Sequence, residues 1–126
     1  MNGHRIGVSK YSQNDAVFLM FDGIDAAPES EQVKQLASRI RTLGCASLEM
    51  CLVAKGAAQA HYMNCTNFKR MIRIIDIAAS CLILREAGGG VVDLEGKKLD
   101  MGLDLQDRKN FLAYGDPRVK ELILRG

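Results

Sequence analysis

Asp76-Ile-Ala-Ala-Ser-Cys-Leu-Ile-Leu-Arg-Glu-Ala-Gly-Gly89 is the stretch whose reading decides the fold. From Ile77 to Ala87 it is apolar nearly all round, with Ile77, Ala78, Ala79, Cys81, Leu82, Ile83 and Leu84 leaving no polar face for water. A helix of that kind belongs in the centre of a molecule. Asp76 stands where an N-cap would, and Gly88-Gly89-Gly90 stops the helix.

Downstream, Val91 to Leu94 reads as a strand, Glu95-Gly96-Lys97 as a turn and Lys98-Leu99 as a short return. Phe111 to Tyr114 is a final strand, and Asp116-Pro117 opens a last helix ending near Leu124. Upstream, a helix runs from Cys45 or Ala46 to Lys55 and ends on Gly56, a natural C-cap. Ala58 to Met63 follows as a strand, and Asn64 to Met71 as a polar, basic loop. Nearer the start, Ala16 to Phe21 is continuously apolar, as a strand covered on both faces would be. Asp22 to Glu29 is loop, Ser30 to Ile40 an amphipathic helix and Arg41 to Leu43 a short strand. The hairpin-turn pair Asn2-Gly3 leads into Arg5 to Ser9, which alternates like a half-buried strand. Helices alternating with strands make an α/β or α+β sandwich.

At 126 residues the chain fits a single domain, residues 1–126. Its hydrophobic fraction of 48% and charged fraction of 25% are those of a globular protein. A net charge of +2 without a long Lys/Arg tract gives no case for nucleic acid. No stretch reaches the roughly 20 apolar residues of a membrane span. Four cysteines without a Cys-x-x-Cys pair and only two histidines argue against zinc. A reduced, cytoplasmic protein is the expectation.

Five residues are candidates for chemistry. A carboxylate at Asp76 can cap the first helical N–H groups or face a pocket, and the same helix end favours phosphate. Gly44, Cys45 and Ala46 form a strand-to-helix turn, which serves either tight packing or close backbone approach to a ligand. Arg73, flanked by Ile72 and Ile74, stands three residues before Asp76 and can face the same cavity. Lys69 and Arg70 read equally as a solvated basic loop. Asp22-Gly23-Ile24-Asp25 is an ordinary turn that also spaces two carboxylates as a Mg²⁺ site could use them. Glu49 and Glu86 sit in apolar surroundings and need partners if buried, with Arg85 or Lys55 available.

Two of these stretches together resemble a known family. Gly44-Cys-Ala-Ser-Leu-Glu-Met-Cys-Leu-Val-Ala-Lys-Gly56 is similar to its segment ending "Val-Ala-x-Gly", and Asp76 to Gly89 to its signature ending "Glu-Ala-Gly-Gly". In this order they resemble the C-terminal domain of the inositol monophosphatase and fructose-1,6-bisphosphatase superfamily, which implies an α/β fold with a layered, mixed β-sheet packed with helices. Arg73-Ile74-Ile75-Asp76, with Ile for the usual Trp, looks closest to archaeal members. The resemblance implies that Asp76 helps hold a catalytic Mg²⁺ beside the substrate. It also implies that Gly44, Cys45 and Ala46 meet substrate hydroxyls and that Arg73 approaches the phosphate or sugar.

The family's main metal site, a Glu and an "Asp-Pro-Ile-Asp-Gly-Thr" motif, lies in an N-terminal half that these residues do not contain. Met63-Asn64 stands where a substrate-recognising Glu is expected. The resemblance therefore implies the substrate-side domain of a Mg²⁺-dependent sugar or inositol phosphate phosphatase, incomplete by itself. Its implied partners are a separate N-terminal phosphatase half, which would restore activity, or a second copy in a homo-oligomer. A non-enzymatic binding or scaffold protein is the remaining reading.

Overall fold

The computed structural model describes residues 6–21, 23–67, 71–99 and 108–125. Seven strands and four helices are found among them: β1 (Val17–Met20), α1 (Ser30–Lys34), β2 (Arg39–Arg41), α2 (Ala46–Lys55), β3 (Ala60–Met63), β4 (Ile72–Arg73), α3 (Ile74–Glu86), β5 (Gly90–Val92), β6 (Arg108–Lys109), β7 (Phe111–Tyr114) and α4 (Pro117–Arg125). Asn2-Gly3, Arg5, Asp22, Lys69 and Arg70 lie outside the described residues.

Five strands make one mixed sheet in the order β2-β1-β3-β7-β5. β1 runs parallel to both β2 and β3, whereas β7 is antiparallel to β3 and β5. The two-residue strands β4 and β6 pair separately. The sheet expected from alternation of helix and strand is therefore present, as are its helices.

Strand periodicity sorts the core into two layers. Phe18, Met20, Ala60, Tyr62 and Leu112 point to one face and pack with Val33 of α1 and Val119 and Ile123 of α4. Leu19, Met63, Phe111 and Ala113 point to the other and pack with Met50, Val53 and Ala54 of α2 and Ile77, Cys81 and Leu84 of α3. This explains why Ala16 to Phe21 reads as continuously apolar: both faces of β1 are covered.

Three local readings need correction. Residues 6–9 are not a strand, since the Val8 N–H donates to Ala87 O at the end of α3 rather than to a sheet edge. The helix expected over Ser30 to Ile40 stops at Lys34. Ser38 Oγ and Arg39 N both donate to Ala16 O, which draws the chain into edge strand β2 at Arg39. The central helix begins at Ile74, so its N-cap is Arg73 and Asp76 lies inside the first turn.

The glycines that end α3 have a geometric reason. A Cβ on Gly89 would stand 2.4 Å from Tyr114 O and 2.7 Å from Leu84 Cδ1, so only glycine lets β5 turn in beside β7. Gly56 ends α2 at φ +88°, as its C-cap reading requires.

Asp116 anchors α4. Its Oδ1 accepts from Arg118 N at 3.0 Å, while Oδ2 accepts from Tyr11 N at 2.9 Å and Arg118 Nη2 at 2.7 Å. The Arg118 guanidinium holds the carboxyl well below the usual carboxylate range; burial opposes this, and the two N–H groups add to it. A carboxylate depressed in the folded state stabilises above its unfolded value near ~3.9, and that contribution is lost as pH falls. Asp116→Asn is therefore expected to flatten the decline in stability between pH 5 and pH 2, read from urea midpoints across that range. An acid slope identical to wild type would show that this carboxylate is not part of the acid transition.

Candidate functional site

β1, β2 and β3 are parallel, so their C-terminal ends share one edge of the sheet. In sheets of this kind ligands bind outside that edge, where loops leave the strands for the helices. From β2 the chain passes through Thr42, whose Oγ1 donates to Met20 O at 2.7 Å, then Leu43 and Gly44, and enters α2. Gly44 has φ +81°, a left-handed conformation that a side chain would strain. Cys45 is the N-cap of α2, is exposed, and makes no side-chain cap hydrogen bond.

The start of α3 lies beside the start of α2. Ser47 Oγ and Ser80 Oγ are 2.6 Å apart, Ser47 Oγ donates to Asp76 O at 3.2 Å, and Ser80 Oγ donates to Ser47 O at 3.2 Å. Two helix N-termini, neither capped by the side chain of its N-cap residue, thus meet at one edge. Their free N–H groups and aligned dipoles favour an anion. The structure so places the start of α2, which follows Gly44 and Cys45, beside the first turn of α3, about thirty positions on. Arg73 Nε donates to Asp76 Oδ2 at 3.2 Å, with both side chains nearly half exposed.

Several polar residues are accounted for internally. Glu49 is buried and binds His61, not the Arg85 or Lys55 that sequence position offered, while Glu86 is exposed. Ser47 pairs with Ser80, so it forms no nucleophile–histidine arrangement with His61. Met63 is buried in the core. Asn64 donates to Tyr62 OH at 2.9 Å and accepts from Asn110 Nδ2 at 3.3 Å, so a network rather than a free carboxylate occupies the position after β3. The serine link and the Glu49–His61 pair were not legible in the sequence, because each joins different elements.

Of the described carboxylates here, Glu49 is held beneath the turn by His61 and the Leu43 N–H, and Asp76 accepts from Arg73. Among those residues no group of three His, Cys, Asp or Glu side chains could hold a metal ion. The described donor set does not make a Mg²⁺ site unaided, since a hard cation needs several oxygen ligands.

The fold is an α/β protein with a mixed five-stranded sheet, helices on both faces and two helix starts beside the ends of its parallel strands. The chain belongs to the inositol monophosphatase family, whose model matches residues 8–125. It is 30% identical over 124 residues to a fructose-1,6-bisphosphatase/inositol-1-monophosphatase of Methanocaldococcus jannaschii, covering 98% of this chain and 47% of that protein. Over 85 residues, 68% of this chain and 14% of the relative, it is 38% identical to a bifunctional NADP phosphatase/NAD kinase of Methanococcus maripaludis. A solved structure from Pyrococcus horikoshii, described as similar to inositol-1 monophosphatase, superimposes with a TM-score of 0.81 at 30% identity. That superposition covers 98% of this chain and 46% of that one. The chain thus spans about half the length of the fructose-1,6-bisphosphatase/inositol-1-monophosphatase relatives it matches. The archaeal character read from Arg73-Ile74-Ile75-Asp76 agrees with these relatives. No helix among the described residues is long and apolar enough to cross a membrane.

Proposed function

We propose that this chain is the substrate-side half of a Mg²⁺-dependent phosphatase acting on sugar or inositol phosphates, and that it turns over only with the other half in place. The observation that carries this is the meeting of the α2 and α3 N-termini at the strand ends, with the Gly44 turn and Asp76 at their mouths. The backbone from Gly44 to Ala46 receives substrate hydroxyls, and the helix ends, with Arg73, receive the phosphate. Asp76 would contribute one carboxylate to a Mg²⁺ ion, and that ion would supply charge stabilisation and an activated water. The other ligands come from the other half.

The helix pair supports the same reading. On α2 and α3, Leu48 is 52%, Leu82 61% and Ile83 37% exposed, on the sides turned away from the residues packed on the sheet. An apolar face of this kind is covered in the working protein. Since the matched structure has about as much chain again, the occupant is the other half of a family phosphatase.

The test is phosphate release with Mg²⁺ from inositol 1-phosphate, fructose 1,6-bisphosphate and NADP. The 126-residue chain is assayed alone and mixed with the half of the M. jannaschii phosphatase that it does not span. Silence alone and turnover in the mixture, with a 1:1 complex by light scattering, is the expected result. Turnover by the chain alone would overturn the incomplete reading. A stable dimer of the chain that excludes the added half would assign the helix face to a second copy.

A further inference from the structure

The turn at Gly44 is surface backbone, with Leu43 half exposed and Gly44 exposed, yet it is gripped from below. Glu49, one helical turn into α2 and 3% exposed, reaches back so that its Oε1 accepts from Leu43 N at 2.7 Å. The neighbouring Gly44 N–H adds a weaker pull on this carboxylate. Its Oε2 lies 2.8 Å from Nδ1 of His61 on β3, and His61 is 1% exposed. Leu19 O of β1 lies 3.1 Å from the same nitrogen. Facing two acceptors, Nδ1 carries the hydrogen. The ring is held in place by Phe111 of β7, centroid to centroid 5.3 Å, and its Nε2 is buried without a partner.

We infer that Glu49 and His61 are a positioning pair for the Gly44 turn. The carboxylate ties the Leu43 amide to His61 of β3, and His61 in turn reaches Leu19 O of β1, so the β1–β3–β7 core sets where the Gly44-Cys45-Ala46 backbone stands. An apolar pair would fill the same space without fixing the turn. Neither residue touches the ligand edge itself. Charge-assisted hydrogen bonds to backbone N–H groups are stronger than neutral ones, which suits this task. Burial alone would push the Glu49 carboxyl up, but the hydrogen bond and charge from His61, with the Leu43 and Gly44 N–H groups, outweigh it and keep the group below the usual range. The functional meaning of the pair rests on the reading that this turn meets substrate; its mechanical role does not.

Amide hydrogen exchange on the 126-residue chain separates the two. In wild type, the Leu43 and Gly44 amides are expected to exchange at least ~10-fold more slowly than unbonded surface amides. In Glu49→Gln and in His61→Phe they are expected to lose that protection, while Val53 in α2 and Leu112 in β7 stay within about twofold. Protection lost equally at Val53 and Leu112 would make the pair a plain core contact and overturn the inference. So would unprotected Leu43 and Gly44 amides in wild type, a result that decides the matter even if neither variant folds. Inositol 1-phosphate is then titrated onto wild type mixed with the complementing half. Protected amides that do not respond to it leave the positioning intact and sink only the substrate role of the turn.

Discussion

Asp76→Asn, introduced into the reconstituted phosphatase, is expected to lower turnover by about 10²–10³-fold while leaving the fold unchanged. A carboxylate that helps hold the catalytic cation contributes several kcal/mol of charge stabilisation in the transition state. About 3–4 kcal/mol of that corresponds to this loss of rate. The structural cost is small by comparison. Asp76 is 41% exposed and its ionic partner is Arg73, itself 46% exposed, and such a pair contributes roughly 0–1 kcal/mol. A carboxylate in the first turn adds a similar few tenths of a kcal/mol with the helix dipole. Phosphate release and urea unfolding, measured on the same variant, therefore diverge if Asp76 serves the cation. Full turnover in the variant would remove Asp76 from the site and reduce it to a partner of Arg73.

The largest loss of stability is expected from Phe111→Ala. Phe111 is wholly buried at the start of β7, within the core layer that includes Leu19, Met50 and Ile77, and its ring lies against His61. Truncating a buried phenylalanine costs about 3–5 kcal/mol, because lost burial and the residual cavity add. That is a large share of the roughly 5–15 kcal/mol that holds a domain together. Leu82→Ala provides the contrast: on the exposed face of α3, the same kind of truncation should change the urea midpoint of the isolated chain little, within roughly 0.5 kcal/mol. A Phe111→Ala cost below ~1 kcal/mol would mean that the layer between the sheet and the α2–α3 pair is not tightly packed.

The two variants test different consequences of one packing arrangement. The layer anchored by Phe111 holds α2 and α3 against the sheet, and Ser47 ties the first turn of α2 to Asp76 and Ser80 in the first two turns of α3. Ligand geometry at the edge follows from helix placement, and helix placement follows from the core. The exposed Leu48 and Leu82 show where that packing remains open in this chain.

Much of this was written in the residues themselves. The apolar run Ala16 to Phe21 determined a strand covered on both faces. Ile77 to Ala87, expected to be central, is covered on one side only, with Leu82 and Ile83 exposed on the other. Gly56 and Gly89-Gly90 determined where α2 and α3 end, because those backbone positions have a conformation or a clearance that a side chain would violate. The two long motifs determined the family, which the match over residues 8–125 bears out. Local pattern could not decide what depends on contacts between distant segments. Ala16 O captures Ser38 and Arg39 and so cuts short a helix that periodicity would continue. α3 begins at Ile74, which moves Asp76 from cap to first turn. Glu49 finds His61 on a neighbouring strand instead of a cation on a helix, because β3 lies beneath the start of α2 only once the sheet has formed. Patterns of burial and backbone freedom are local and legible in one dimension; pairings between side chains on different elements exist only after the elements have packed.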